Sequence, residues 1–542
     1  MKTHIPSPSA PVLESTMLRR ALFALPLFAA ACDPYARPAD FYGTADKPLW
    51  DSNVVTVGDA VYARLPAGER LVRIQSDGTL STVDLAGASP DRMVATPDGE
   101  ALLVFASWQA CEDADNTIES PDECPEDDLV TRRELARVVG DKRLDAFNVP
   151  AHLNALTFTE DGRTAVAYLD YTEQMAIEVD GLIDLGEVMF LPLDGASPAR
   201  SVSVGFSPEK ILFSTDSAGL NDKAVIFSRS EVVVVELGTL DVVVTYPLVL
   251  DADQVVDPAD AVLTEDGRVA LVTIQGSSDL YELDLEKHSI DLEELDDSPV
   301  AMVNATLPEF DDGDDLPVTL IAYARKAEVE VLDQNALELR EPLLLEEPVS
   351  DILATPDAAV MYNRNSDSVK DVYHINLGSY AITEYRVANP IDELRLSPEQ
   401  AYAVATLRPE IASNNALDAY QDSRWGLAVI DLLNQEETSL VLEAEPIGLA
   451  LVERDEATYA LVLMQGLEHL IQVNLAEPTF FSEVELAAPP LGIGQLASGQ
   501  FYVTHDAALG LVSFLDPSTG DLTAAGGFAT PGLFHESTLL NR

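Results

Sequence analysis

Positive charge is what this chain has least of: 32 Lys and Arg stand against 93 Asp and Glu, a formal net charge of −61. A surface of that sign repels phosphate backbones and excludes nucleic acid as a partner. Excess acid of this kind is first of all a solvated surface, and its second use is to recruit a cation or a basic partner. Long apolar runs are also missing. The longest, Ala21 to Ala31, holds 11 residues and contains Pro26, whereas a bilayer span takes about 20. No G-x-S-x-G elbow, Walker loop or C-x-x-C occurs, and the seven His are scattered, so the usual hydrolase, nucleotide and redox signatures are all wanting. Helical patterning is nearly absent. What is present is 47% hydrophobic residues with only 23% charged, enough for a packed core and too much for a disordered chain.

The short apolar run has the order of an export label. Arg19 and Arg20 precede it and Ala29-Ala30-Ala31 follow, giving a positive region, an apolar region and a small-residue cleavage site. Residues 1–31 are therefore expected to be a signal peptide, with Met17 as a cleaner start than the Pro-rich, acidic leader before it. The run stops at Cys32, and small residues ahead of a cysteine resemble a bacterial lipoprotein signal. That resemblance implies lipidation of Cys32, a tether over residues 32–50 and a place in the cell envelope, bound to a membrane through the lipid. Ala29 stands where that family usually has Leu, and ordinary cleavage with plain secretion is the alternative. Lipidation of Cys32 would also resolve the odd cysteine count. Only Cys111 and Cys124 would then remain, flanking "CEDADNTIESPDEC", where a disulfide is expected and two buried free thiols are the alternative.

From residue 51 onward a phrase recurs. Thr96-Pro97-Asp98-Gly99, Thr159-Glu160-Asp161-Gly162 and Thr264-Glu265-Asp266-Gly267 each precede an apolar run of strand length. Degenerate copies begin at Thr355 and Ser397. Each phrase is a turn, with an acid to cap the bend and a Gly that permits positive φ. The strands around them group in fours, at roughly 40 to 60 residues per group, which predicts an all-β fold with a single β-propeller of four-stranded blades over residues 51–530. A tail is left at 531–542. Ten such phrases can be read, but rings of seven or eight are commoner, so seven to ten blades are expected. The unbroken run Val269 to Ile274 predicts that the first and second strands of a blade are buried on both faces.

"TPDG…ALLV" followed by a "V…DL" strand resembles the YVTN-type and lactonase-like propeller family, best at Thr96 to Gly99, Thr264 to Gly267 and Asp516 to Gly520. The resemblance implies either a binding platform or a lactonase-like hydrolase or oxidoreductase with polar groups at the central channel, but none of that family's catalytic residues maps onto a position here. Three Trp are too few for the recurring Trp motif by which quinone-cofactor propellers dock their blades.

The chemistry-bearing candidates are few. Asp311, Asp312, Asp314 and Asp315 around Gly313 offer hard oxygen ligands for Ca²⁺, with a solvated acidic turn as the plainer reading. Asp113, Asp115, Asp122 and Glu123 of the insert are similar but lack EF-hand spacing. His505-Asp506 is an acid–base candidate weakened by strand alternation, which points neighbours to opposite faces. His535-Glu536 lacks the second His of a zinc helix. "LGIGQLASG" from Leu491 reads as strand and turn rather than a phosphate loop. No cofactor is expected beyond a possible Ca²⁺. The resulting expectation is an exported, monomeric lipoprotein presenting an acidic propeller to a protein, glycan or cation. A scaffold similar to the lipoprotein propeller of outer-membrane insertion machinery is a further possibility.

Overall fold

The computed structural model describes residues 54–528 except 66–69, 112–123, 126–128, 171–184, 196–197, 216–220, 250–255, 257, 309–314, 411–422, 455–456 and 508. Strands and turns make up all of the described residues, and no helix occurs among them. The strands assemble into ten antiparallel sheets, each built from four consecutive strands, with one extra two-residue strand, Leu343–Leu344, in the sixth. In chain order these blades run from Val55 to Val83, Ser89 to Val149, Ala155 to Ser203, Pro208 to Pro247 and Pro258 to Glu294. Blades 6 to 10 run from Pro299 to Leu344, Asp351 to Arg386, Ile391 to Val441, Pro446 to Glu485 and Pro490 to Gly526.

Closure is read from the core. Ten hydrophobic clusters are each shared by two neighbouring blades, and an open array of ten blades would supply only nine such seams. The tenth joins the ends of the chain: Phe514, Val512 and Phe528 of blade 10 pack on Val61, Ala63 and Ile74 of blade 1. Backbone bonds from Ala497 N–H to Gly58 O (3.2 Å) and from Gly58 N–H to Gly99 O (3.1 Å) tie blades 10, 1 and 2 in series. The chain is thus a ten-bladed β-propeller. The commoner count of seven or eight does not apply, because every four-strand phrase forms its own blade.

First strands of successive blades lie side by side, for example those of blades 4 and 5, 5 and 6, and 6 and 7, which places them around the axis. Seven of them begin with a bulge, at Pro90, Pro208, Pro258, Pro299, Ile391, Pro446 and Pro490. Proline has no N–H to give to a ladder, so it is tolerated where a bulge has already broken the pairing, and the bulge adds local twist.

The turns explain the recurring phrase. Thr264 accepts a hydrogen bond from Val269 N–H (3.0 Å) and donates to Asp266 (2.7 Å), which also takes Arg268 N–H (3.0 Å). Thr96 and Thr159 make the same set. Gly99, Gly162 and Gly267 sit at φ +66°, +67° and +68°, the left-handed region where a Cβ is costly. Turns between third and fourth strands are closed differently. Asp284, Asp333, Asp431 and Asp516 each accept two following backbone N–H groups. Asp333 and Asp431 each stand two residues after a Val at the end of the third strand, while Asp284 and Asp516 follow Glu282 and Phe514 in the same place.

The expected burial is corrected by one strand. Coverage on both faces belongs to the second strand and, in some blades, the third: Val269–Ile274 is buried at every position and so is Leu511–Leu515, whereas the third strand of blade 5, Asp279–Asp284, buries only Leu280 and Leu283. In the first strand of blade 5, Pro258–Leu263, only Ala261 is buried. Packing between blades covers both faces of the middle strands, while the innermost strand borders the channel.

Candidate functional site

Substrate or partner chemistry on a propeller is sought at the channel and its mouths, because the remaining faces are spent on blade-to-blade packing. Among the described residues the ten first strands contain no His. Their ionisable groups are mainly acids, including Asp91, Glu209, Asp260, Asp392, Glu393 and Glu453. The cations among them are engaged. Arg395 pairs with Glu393 at 2.7 Å, Arg92 donates to Asn154 O at 3.1 Å, and the Arg454 guanidinium lies 4.7 Å from the centre of the Tyr459 ring.

Among the described residues a cavity of about 430 Å³ lies where blades 3, 4 and 5 meet, on the ring face that carries the hairpins between second and third strands. Its charged lining is Asp170, Glu209, Lys210, Arg229 and Asp260, with Tyr168 as its half-buried aromatic. Lys210 Nζ donates to Asp260 Oδ1 (2.8 Å) and to Ala261 O (2.6 Å). Asp260 Oδ2 accepts Met302 N–H from blade 6 (2.8 Å), so one carboxylate links three innermost strands. Arg229 Nε donates to Glu209 Oε1 (2.6 Å). Both oxygens of Asp260 are thereby held by structural donors, and the lining offers fixed dipoles and charges rather than a free acid–base pair. A second, shallower recess of about 640 Å³ opens on the opposite face, lined by Pro398, Glu453, Gln495, Ser498 and Asp516 of blades 8 to 10.

The residues singled out from the sequence fall as follows. Cys111 and Cys124 are joined by a disulfide. It lies just beyond the last pair, Cys111 opposite Leu129, of the hairpin formed by Leu102–Cys111 and Leu129–Val139. Cys32, Asp311, Asp312 and Asp314 lie outside the described residues, as do Asp113, Asp115, Asp122, Glu123 and His535; Asp315 is exposed at the start of a blade 6 strand. His505 is fully buried, with Nδ1 2.7 Å from Ala488 O and Nε2 2.8 Å from Ser513 Oγ. Burial pushes its pKa down, and with both nitrogens engaged by groups other than Asp506 it is a core histidine, not half of a catalytic pair. The glycines of "LGIGQLASG" belong to a strand, Pro490–Gln495, and to a turn with Gly499 at φ +85°.

Sequence reasoning missed the cavity. Tyr168, Lys210, Arg229 and Asp260 sit on three different blades, and no local motif unites them. The available signal was the recurring proline, since Pro208 and Pro258 mark the channel-mouth ends of the two first strands that line it.

No protein-family model and no curated protein sequence matches the chain. Among solved structures it is similar to a eukaryotic initiation factor at 11% identity, over 82% of this chain and 91% of that one, with a TM-score of 0.42. Virginiamycin B lyase from Staphylococcus aureus is similar at 13% identity over 56% of this chain and 92% of its own, TM-score 0.29. Dihydro-heme d1 dehydrogenase NirN is similar at 14% identity over 58% and 67%, TM-score 0.34. At these values the chain's assignment as a propeller rests on its own ten sheets and ten seams.

Proposed function

We propose that this chain is an exported cell-envelope lipoprotein, anchored through Cys32. Its acidic propeller, of the YVTN-type and lactonase-like kind, works as a monomeric binding or scaffold platform for a protein, glycan or cation. The observation that carries the reading is the cavity between blades 3 and 5. Lys210 is locked onto Asp260 and Arg229 onto Glu209, a rigid pattern of alternating charge beside Tyr168 that suits recognition. The hydrolase alternative asks for a free proton carrier at the channel, and Asp260 at the cavity is instead held by Lys210 and Met302 N–H. A disulfide fits an oxidising compartment outside the cytoplasm. No helix among the described residues is long and apolar enough to cross a membrane. Anchoring through the lipid would leave the ring free to present either face.

The test is cross-linking capture by the mature, membrane-anchored protein, with a Lys210→Ala/Arg229→Ala variant as its control. The expected result is a reproducible bound species that the variant loses while its far-UV spectrum and melting temperature stay those of the parent. Capture that returns nothing reproducible, or that is equal for both proteins, refutes the platform. Cys32→Ala tests the anchor separately: it should move the protein out of the membrane fraction and change its mature mass.

A further inference from the structure

A second cluster of charge lies at the seam between blades 5 and 6, away from the cavity. Asp296 stands in the connection leaving the last strand of blade 5, Ser289–Glu294. Glu328 and Glu330 lie on the third strand of blade 6, Glu328–Asp333, and two residues apart they project to the same face. One carboxylate oxygen from each of the three lies within 4.8 Å of the others.

Acids gather on this surface everywhere, so proximity alone means little. What distinguishes this group is Glu330. It is only 7% exposed, its carboxylate points into the cluster, and its Oε2 has no hydrogen-bond partner. A buried carboxylate without a partner is costly, and two further carboxylates beside it add to the cost. The nearby ammonium does not relieve it. Lys326 Nζ bonds Asp296 (2.8 Å) and Glu328 (3.0 Å), the two outer members, and stops there. Tyr323, fully buried beneath, turns its phenol toward Glu330 and favours the charged carboxylate, but the approach falls short of hydrogen-bond geometry, so neither the phenol oxygen nor Glu330 Oε2 is fully satisfied.

We propose that Asp296, Glu328 and Glu330 form a divalent-cation site for Ca²⁺, and that Lys326 fills its outer half when the metal is absent. Three carboxylates against the Lys326 ammonium leave a net charge of −2, and a dication in its place leaves −1. All-oxygen donors suit Ca²⁺, and the absence of His and Cys from the set disfavours softer metals. Ca²⁺ tolerates six to eight oxygens in irregular geometry, so bidentate carboxylates and water complete the shell. Asp296, with its side chain 71% exposed, gives the entry path. This site is independent of the platform reading and stands or falls separately from it.

The experiment is Ca²⁺ and Tb³⁺ titration of the whole mature chain after chelation, following tyrosine-sensitised Tb³⁺ emission and calorimetry, with weak binding to the remaining acids as a background common to all variants. The parent should show one tight class above that background. Glu330→Gln should abolish it, and Asp296→Asn, an exposed substitution with no packing role, should weaken it at least about tenfold in case the first variant folds poorly. Lys326→Met should tighten it about three- to tenfold, because the tethered competitor is gone. Tyr323→Phe should lower the Tb³⁺ emission while leaving Ca²⁺ affinity in place. Absence of a tight class in the parent, its survival in Glu330→Gln and Asp296→Asn, or unchanged affinity in Lys326→Met overturns the proposal.

Discussion

Ring closure is the feature whose energetics can be worked out from one residue. Among the described residues no strand is exchanged between blades 10 and 1, since each sheet is built from consecutive strands. The seam is therefore held by side-chain packing and a few bonds, among them Ser498 N–H to Asp59 Oδ1 at 2.8 Å. Phe514 is 1% exposed within that seam, between Tyr502 and Thr523 on its flanking strands. Phe514→Ala removes most of a buried ring and leaves a cavity, for a cost of about 3 to 5 kcal/mol. In stacked repeats stability is close to a sum of neighbour terms. Opening one of the ten seams leaves blades 1 and 10 with a single neighbour each and the others with two. Amide hydrogen exchange should then accelerate by roughly two to three and a half orders of magnitude in blades 1 and 10, the factor set by about 1.4 kcal/mol per tenfold. Blades 4 to 7 should keep their protection. Phe227→Ala, an equally buried ring at the seam of blades 4 and 5, should cost a similar amount and accelerate exchange there instead. A loss below about 1 kcal/mol in Phe514→Ala, or exchange that rises evenly around the ring, would show that closure is not a separable element of this fold.

Two further perturbations test the turns and the charge. Gly267→Ala places a side chain at φ +68° with its Cβ 3.2 Å from Thr215 O, whereas Gly99→Ala at φ +66° meets nothing within 4 Å. Both should lose about 1 to 2 kcal/mol to the left-handed conformation, with Gly267→Ala the worse in denaturant titration; the reverse order would refute the close contact. Glu282 faces Asp291 across the ladder to the fourth strand and Leu271 on the second. Burial, then Glu293 and Asp291, push its pKa up to about 7. Its charged form is the disfavoured one in the fold. The stability it contributes is complete at acid pH, below its unfolded value, and is lost as pH rises towards 7. Glu282→Gln should flatten the stability profile between about pH 4.5 and 7 relative to the parent, and parallel profiles would contradict the assignment.

How far the sequence could be read depended on whether a feature is local. The turn at Thr264 is closed by residues within five positions of it, so the phrase alone announced the fold and its repeats. Blade number was legible too. All ten phrases are blades, and the preference for a smaller ring came from other propellers rather than from any residue here. Strand burial was misjudged because an apolar run such as Val269–Ile274 reports coverage on both faces without saying which strand of the four it is. Function was harder to read for a related reason. Asp260 meets Lys210 from the previous blade and Met302 N–H from the next, and Asp296 meets Glu330 across a seam; such encounters are made by the ring and have no spacing in the chain.

The size of the ring bears directly on what the protein can do. Adding blades widens the circle of first strands. Their composition follows. In Pro258–Leu263 and Pro490–Gln495 only one residue of each strand is buried, and the exposed positions include Ala259, Leu491 and Gln495 rather than a packed apolar plug. A wall of this kind stays wet. Catalysis that depends on strong electrostatics works best where water is excluded. Recognition has the opposite requirement, a preorganised and accessible pattern of charge, and the mouth formed by Lys210, Asp260, Glu209 and Arg229 meets it. The platform we propose rests on that pattern of charge.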